Sequence, residues 1–186
     1  MDSRLRQIED GFERELGALL GSVNFSGYSD RARLRADDLA VRTYASREIL
    51  KAKMAIASRI SDWCGANVPE PTREAPFPAD AISQKLRTLR SFETHLAELE
   101  HTVRAAEAPD LDAVWNLRTD GTAVLSALLN IDRTLVKTAQ GLANAAETLT
   151  LADFDKPDPF ESLRQSENDL RSILAQRRNH LRNRAI

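Results

Sequence analysis

Three histidines are among the side chains that could bind a metal ion in this chain of 186 residues. Glu98 and His101 form an E-x-x-H pair, a spacing that puts two metal ligands on one face of a helix. A dinuclear metal site in a helical bundle needs a second such pair and two more glutamates, and the sequence contains no second pair. The helix 80–108 also has an apolar repeat of seven residues, with Leu89, Leu96 and Val103 in the core, and this repeat places Glu98 and His101 away from the core. We therefore predict no metal and no cofactor.

A second histidine, His95, stands five positions after Arg90. This R-x₄-H spacing resembles that of helical ribonucleases of the HEPN class, in which both residues line a dimer cleft. The resemblance covers only this motif, and the residue after the arginine is Ser91. Five residues along a helix correspond to a rotation of about 140°, which separates the two side chains. A HEPN-like ribonuclease is therefore a remote alternative.

Other catalytic motifs do not occur. The single cysteine, Cys64, follows Trp63 near the predicted end of a helix. A reactive thiolate favours a helix N-terminus or a cationic partner, so we predict a buried structural thiol. The chain lacks the glycine-rich phosphate loop, the dinucleotide-binding turn and the serine and zinc hydrolase motifs. We predict a protein that is not an enzyme and has no catalytic residues.

The formal net charge of −2 conceals segments of opposite sign. Residues 30–64 and 159–186 each carry a net charge of +3, whereas residues 80–155 carry −5. The end of the chain contains arginines and no acid: Arg171, Arg177, Arg178, Arg182 and Arg184. Because guanidinium groups match phosphate oxygens, these arginines are candidate phosphate-binding residues. The alternative is that the basic helices pair with the acidic helices of the same chain.

The prolines divide the chain into helical segments. A proline inside a helix costs about 3 kcal/mol, and all seven prolines fall in three places, at 69–78, 109 and 157–159. Together with a glycine-containing break at 21–30, they leave five predicted helices and a proline-rich loop. The helices are 2–20, 30–64, 80–108, 110–151 and 159–185, and the loop is 65–79. No segment alternates as a strand does, so we predict a single all-α domain over 1–186.

Local signals refine the ends of these helices. Asp80, Asp110 and Asp158 are predicted N-caps, the last followed by Pro159 at the first helical position. Gly65 is the predicted C-terminal stop of the second helix.

The segment 110–151 carries an apolar repeat of seven residues sustained for more than five heptads. Its members form the predicted interaction seam: Val114, Leu117, Val124, Leu128, Ile131, Leu135, Leu142 and Leu149. Gly121 falls in this segment without shifting the phase, so we predict a continuous helix. Such a repeat favours coiled-coil-like packing. Each of the other helices has one apolar stripe, and the sequence predicts an elongated antiparallel bundle of about five helices.

The seam of 110–151 is longer than the helices 80–108 and 159–185 that could cover it. The excess predicts a protein partner or self-association, and hence a scaffold or adaptor that assembles through this seam. The alternative is an accessory subunit of a nucleoprotein complex that contacts nucleic-acid backbone through the C-terminal arginines. The N-terminus is charged and no run of 18 apolar residues occurs, so we expect no membrane association and a cytoplasmic protein. No small-molecule ligand is indicated.

Overall fold

A computed structural model describes residues 17, 18, 20, 26, 28, 33–74, 76–109 and 121–182, without the side chains of 121–123. Within these residues the chain forms helices and no strand, which confirms the predicted all-α helical bundle. The helices are α1 (Leu34–Asn67), α2 (Asp80–Arg104), α3 (Gly121–Glu147), α4 (Leu151–Phe154) and α5 (Glu161–Arg182). Of the predicted helix 2–20, only residues 17, 18 and 20 are described, and all three are helical.

The predicted stop at Gly65 is wrong, because α1 continues to Asn67. A Cβ added at Gly65 would meet no atom within 4 Å, so close packing does not require a glycine at this position. Val68 is extended, with φ −95° and ψ 110°. A residue before proline is driven out of the helical region by the proline ring, so Pro69 ends the helix.

Three other predicted helix ends also differ. Asp80 is the first residue of α2 and not its N-cap, which is Ala79 with no side-chain hydrogen bond. The helix α2 ends at Arg104 instead of 108. α3 ends at Glu147, and the Asp153 carboxylate then accepts from the Thr150 amide (2.9 Å) at the start of the separate helix α4. The predicted cap at Asp110 and the predicted continuity of the helix before Gly121 lie outside the described residues.

The predicted N-cap at Asp158 is wrong, because its carboxylate accepts from the amide of Phe160 (3.1 Å), which is itself the residue just before the helix. The helix itself begins at Glu161, two residues after the predicted position. Its described part ends at Arg182, and residues 183–186 are not described.

Hydrogen bonds between the helices define their directions. Ser46 near the start of α1 donates to Glu100 near the end of α2 (2.5 Å), so these helices are antiparallel. Arg59 near the end of α1 donates to the Leu149 carbonyl just after α3 (3.2 Å), so α1 and α3 are parallel. His180 near the end of α5 contacts the Val124 carbonyl near the start of α3 (2.9 Å). The four long helices therefore alternate in direction along the chain.

The helices α1 and α3 form the centre of the bundle. α1 packs extensively on α2 and α3, and α3 also packs on α5, whereas α2 and α5 share only a small contact. The predicted apolar stripe of α1 is buried throughout: Val41, Ala45, Ile49, Ala52, Ile56, Ile60 and Trp63. Small residues on this stripe, such as Ala45 and Ala52, allow neighbouring helices to approach closely.

Because α3 lies between α1 and α5, it is covered on two sides. Residues outside the predicted seam are buried as well: Leu125, Leu129, Val136, Ala139, Ala143 and Ala146. A two-stranded coiled coil buries only a narrow seam, so the burial of α3 is that of a central bundle helix.

Candidate functional site

The outward face of α1 carries a row of exposed apolar side chains. Leu39 is 56% exposed, Leu50 38% and Met54 64%. At 100° per residue, these three side chains and Thr43 fall within a sector of about 60°. We call Leu39, Thr43, Leu50 and Met54 the α1 stripe. Single exposed leucines are common on protein surfaces, but an aligned row on a helix is typical of a contact surface.

A cleft opens at the Leu39 end of the α1 stripe. It has a volume of about 360 Å³ and is lined by Leu20, Ala36, Leu39, Ala40, Thr43, Tyr44 and Arg47. Leu20 packs against the core from the segment that precedes α1. This volume lies near the lower limit of ligand pockets, about 300 Å³. A cleft of this size beside an apolar row can accept the anchoring side chain of a bound helix.

Basic residues flank the α1 stripe on both sides. Arg47 and Lys51 both approach the Glu48 carboxylate, at 3.8 Å and 2.7 Å, yet each side chain is at least half exposed. Arg35 and Lys53 have no ion pair among the described residues. Glu48 itself is 3% exposed, so the charge presented beside the stripe is positive.

A buried ionic cluster lies beneath the same end of the bundle. Arg177 donates through Nε to Asp132 (2.8 Å), through Nη1 to the Glu107 carbonyl (2.7 Å) and through Nη2 to Asp38. Tyr28 donates its hydroxyl to the second oxygen of Asp132. The side chains of Arg177, Asp38 and Asp132 are at most 2% exposed. One guanidinium thus joins α1, α3 and α5 to the segment after α2.

The electrostatics of this cluster follow from its burial. Burial raises the pKa of Asp132, although Arg177 and the Tyr28 hydroxyl oppose that shift. Burial, followed by the nearby Asp132 charge, raises the pKa of Tyr28 well above its usual range. Burial acts to lower the pKa of Arg177, but the two aspartates outweigh it and raise that pKa. A neutral tyrosine and a charged arginine therefore stand beside two acids.

Two neighbouring groups extend the cluster towards the α1 stripe. Arg42 donates to the free oxygen of Asp38 through Nε (2.9 Å) and Nη2 (2.7 Å). Asp37 accepts from the Ser26 amide (3.1 Å), the Ser26 hydroxyl (2.6 Å) and the Tyr28 amide (3.2 Å). These bonds fix the residues that precede α1 against its first turns, where the cleft at Leu39 opens.

The described members of the predicted interaction seam lie inside the chain's own core. Leu128, Leu135 and Leu142 have no exposed surface, and Val124, Ile131 and Leu149 are at most 8% exposed. The surface that these residues offer in the sequence is thus covered by helices of the same chain. Val114 and Leu117 lie outside the described residues.

The predicted phosphate-binding arginines do not form one surface. Arg177 belongs to the buried cluster, Arg171 pairs with Glu167 (2.9 Å), and Arg182 pairs with Glu107. Arg178 is exposed and has no ion pair among the described residues, and Arg184 lies outside them. The predicted pairing of basic with acidic helices is visible in two contacts, Arg177 with Asp132 and Arg182 with Glu107.

The residues with catalytic or metal-binding spacing are also separated. Glu98 and His101 are exposed, and no group of three potential metal ligands occurs among the described residues. His95 lies 4.0 Å from Glu167, whereas Arg90 is exposed on the surface of α2. Cys64 is half-buried, where a fully buried thiol was predicted, because it lies beside the buried stripe of α1 and not within it.

Asp38 and Asp132 were not predicted as structural residues, although the sequence contains a signal for them. Extending the buried apolar row of α1 backwards from Val41 by three positions leads to Asp38, and Asp132 lies between Leu128 and Leu135. An acid in an apolar row must find a partner when it is buried. Arg177 lies in the corresponding apolar row of α5, three residues after Leu174.

Comparison with known proteins identifies no relative of this chain. A scan against protein-family models matches no family, and searches of curated proteins and of solved structures find no match. Among the described residues, no helix is both long enough and apolar enough to cross a bilayer.

Proposed function

We propose that this chain is a non-enzymatic interaction module that binds an acidic amphipathic helix of a partner protein along the α1 stripe. The observation that carries the proposal is the alignment of Leu39, Leu50 and Met54 on the outward face of a helix whose opposite face is buried in the core. An exposed apolar row of this kind can pack against the apolar face of an amphipathic helix from a partner.

The charge beside the stripe specifies the kind of partner. Arg35, Arg47, Lys51 and Lys53 favour a helix with acidic residues on both sides of its apolar face. Complementary charge accelerates encounter and selects orientation, while burial of the apolar side chains supplies most of the affinity. The cleft beside Leu39 would hold one anchoring side chain of that helix.

The test uses a fluorescent synthetic helix with leucines on one face and glutamates on both sides. Fluorescence anisotropy should show saturable binding that weakens as salt is added. Met54→Glu should weaken binding by about tenfold or more, because it places a charge in the apolar contact and opposite the acidic flank. Leu151→Glu is the matched control, since Leu151 is 40% exposed and lies on α4.

Three outcomes would contradict the proposal. The first is no saturable binding, and the second is an equal loss of affinity in the Met54 and Leu151 variants. The third is that a peptide with lysine flanks binds as well as the one with glutamate flanks. Two added measurements identify other occupants of the stripe: light scattering detects a second copy of the chain, and flotation with anionic vesicles detects a lipid surface.

Nucleic-acid binding through the C-terminal arginines is the competing hypothesis. Among the described arginines its support is limited to Arg178, since Arg171, Arg177 and Arg182 are engaged with acids of the same chain. The test compares the binding of labelled duplex and single-stranded nucleic acid to the parent chain and to Arg178→Gln. We expect no salt-sensitive binding that depends on Arg178.

A further inference from the structure

A second cleft lies between α2 and α5, two helices that share only a small contact. Its volume is about 310 Å³, and its lining residues are Arg87, Thr88, Ser91, Phe92, His95 and Arg164. We call this opening the α2–α5 cleft. It is separate from the α1 stripe, which lies on the opposite face of α1 from the bundle interior.

The polar side chains of the α2–α5 cleft are rich in hydrogen-bond donors. Arg87, Ser91 and His95 follow one another at intervals of four residues, so they line one side of α2. Arg87 is exposed and has no ion pair among the described residues, and Ser91 is exposed as well. Arg164 faces them from α5 and is half-buried.

None of the lining residues is acidic, and two acids nearby, Asp158 and Glu167, are already engaged. Asp158 accepts from Arg164 through Nε (2.9 Å) and Nη2 (3.2 Å), which leaves Nη1 of Arg164 without a described partner. Glu167 accepts from Arg171 at 2.9 Å and lies 4.0 Å from His95 Nδ1. The cleft therefore presents two guanidinium groups with no uncompensated carboxylate between them.

The remaining wall of the cleft is apolar and rigid. Phe92 stacks on Phe160, with ring centroids 4.3 Å apart and planes inclined by 14°. The Arg164 guanidinium carbon lies 5.8 Å from the Phe92 ring centroid, which limits the positions that this side chain can take. Thr88 donates its hydroxyl to the Gln84 carbonyl (3.2 Å). An anion held here would thus meet a prepositioned Arg164.

We propose that the α2–α5 cleft binds a phosphate group, either as free phosphate or as a phosphomonoester. The planar guanidinium of Arg87 matches the spacing of phosphate oxygens, and Arg164 supplies a second donor from the facing helix. Ser91 adds a neutral donor between them. The doubly charged phosphate suits this site better than a carboxylate because it offers three oxygens to three separate donors.

Isothermal titration calorimetry of the whole chain tests this site with inorganic phosphate, adenosine monophosphate and adenosine as titrants. Saturable binding with a Kd of about 1 mM or tighter is expected for at least one phosphate-bearing titrant and none for adenosine. Tighter binding of the monophosphate than of free phosphate identifies an ester as the ligand. Equal affinities identify the phosphate group alone.

The matched variants are Arg87→Gln and Arg90→Gln, which remove one charge each from the exposed surface of α2. Arg87→Gln should weaken binding by about tenfold, the loss of one charge-assisted contact, and Arg90→Gln by less than about twofold. Ser91→Ala should weaken it less than Arg87→Gln does. An equal effect of the two arginine variants, or no saturable heat with either phosphate, would overturn the assignment.

Discussion

Arg177 on α5 donates a hydrogen bond to Asp38 on α1, a residue 139 positions earlier in the chain, across the interior of the bundle. The two helices share little other contact, because α3 lies between them. Asp132 of α3 and the Glu107 carbonyl complete the surroundings of the guanidinium. A buried group of this kind adds little net stability, but it allows only one arrangement of the helices to satisfy its hydrogen bonds. We infer that it sets the register of the bundle.

Replacing Arg177 by methionine should destabilise the fold severely. The change leaves Asp132 and Asp38 buried with one cation fewer, and removing one partner of a buried ion pair typically costs about 3–5 kcal/mol. Urea unfolding followed by circular dichroism measures this loss. The triple variant with Asp38→Asn and Asp132→Asn should recover part of it, because its buried groups are neutral.

The neighbouring residue provides the control. Arg178→Met removes the same charge one position later, from an exposed side chain, and should change the free energy of unfolding by less than about 0.5 kcal/mol. Equal losses for the two variants would show that the buried cluster has no special part in stability.

The fold could be predicted from the sequence because periodicity and proline placement are local signals. The apolar rows of α1 and of 80–108 identify the residues that are buried, Ile49 and Leu96 among them. Which helices pack against each apolar row could not be predicted, since the packing depends on contacts between segments that are distant in the sequence. The long row of 110–151 therefore indicated a partner, whereas α3 is covered by α1 and α5 of the same chain.

The site was harder to predict than the fold for a physical reason. A count of charges by segment treats every arginine alike, yet Arg177 is buried and Arg178, the next residue, is exposed. Which of them lies inside depends on the rotation of α5 about its axis, and Leu170 and Leu174 determine that rotation. Placing Arg177 on the same stripe as these leucines would have identified it.

A core substitution distinguishes burial within the chain from burial between chains. Leu135 has no exposed surface, and Leu135→Ala should lower the free energy of unfolding by about 2–5 kcal/mol. Because the contacts are intramolecular, the loss should be the same at micromolar and at tenfold higher protein concentration. Leu50→Ala, on the α1 stripe, is the control and should cost less than about 1 kcal/mol. A loss that grows as the concentration rises would place Leu135 in an interface, because association would then stabilise the parent more than the variant.

Asp158 at the start of α5 should contribute stability that acid removes. Its pairing with Arg164, followed by the Phe160 amide, lowers the pKa of this carboxyl in the folded state. The stabilisation is thus fully present above the ordinary aspartate pKa of about 4 and is lost as the pH falls below it. Both side chains are about 40% exposed, so solvent screening limits the effect of Asp158→Ala to about 1 kcal/mol at neutral pH. Thermal unfolding across the acid range measures it, and a cost that persists under strongly acidic conditions would contradict the ionic explanation.

Tyr28 should make the fold sensitive to alkali. Burial and the Asp132 charge raise its pKa in the folded state, so above an ordinary tyrosine pKa of about 10 the unfolded chain loses a proton that the folded chain keeps. The unfolded state then binds fewer protons, and the free energy of unfolding falls by up to about 1.4 kcal/mol per pH unit.

Tyr28→Phe removes this dependence but leaves one Asp132 oxygen without its donor, which costs about 1–3 kcal/mol below that pH. The parent is therefore more stable at neutral pH, and the two unfolding curves should converge as the pH rises above about 10. Lysines and arginines titrate in both proteins and cancel in the difference, so a difference that stays constant across the alkaline range would refute the assignment to Tyr28.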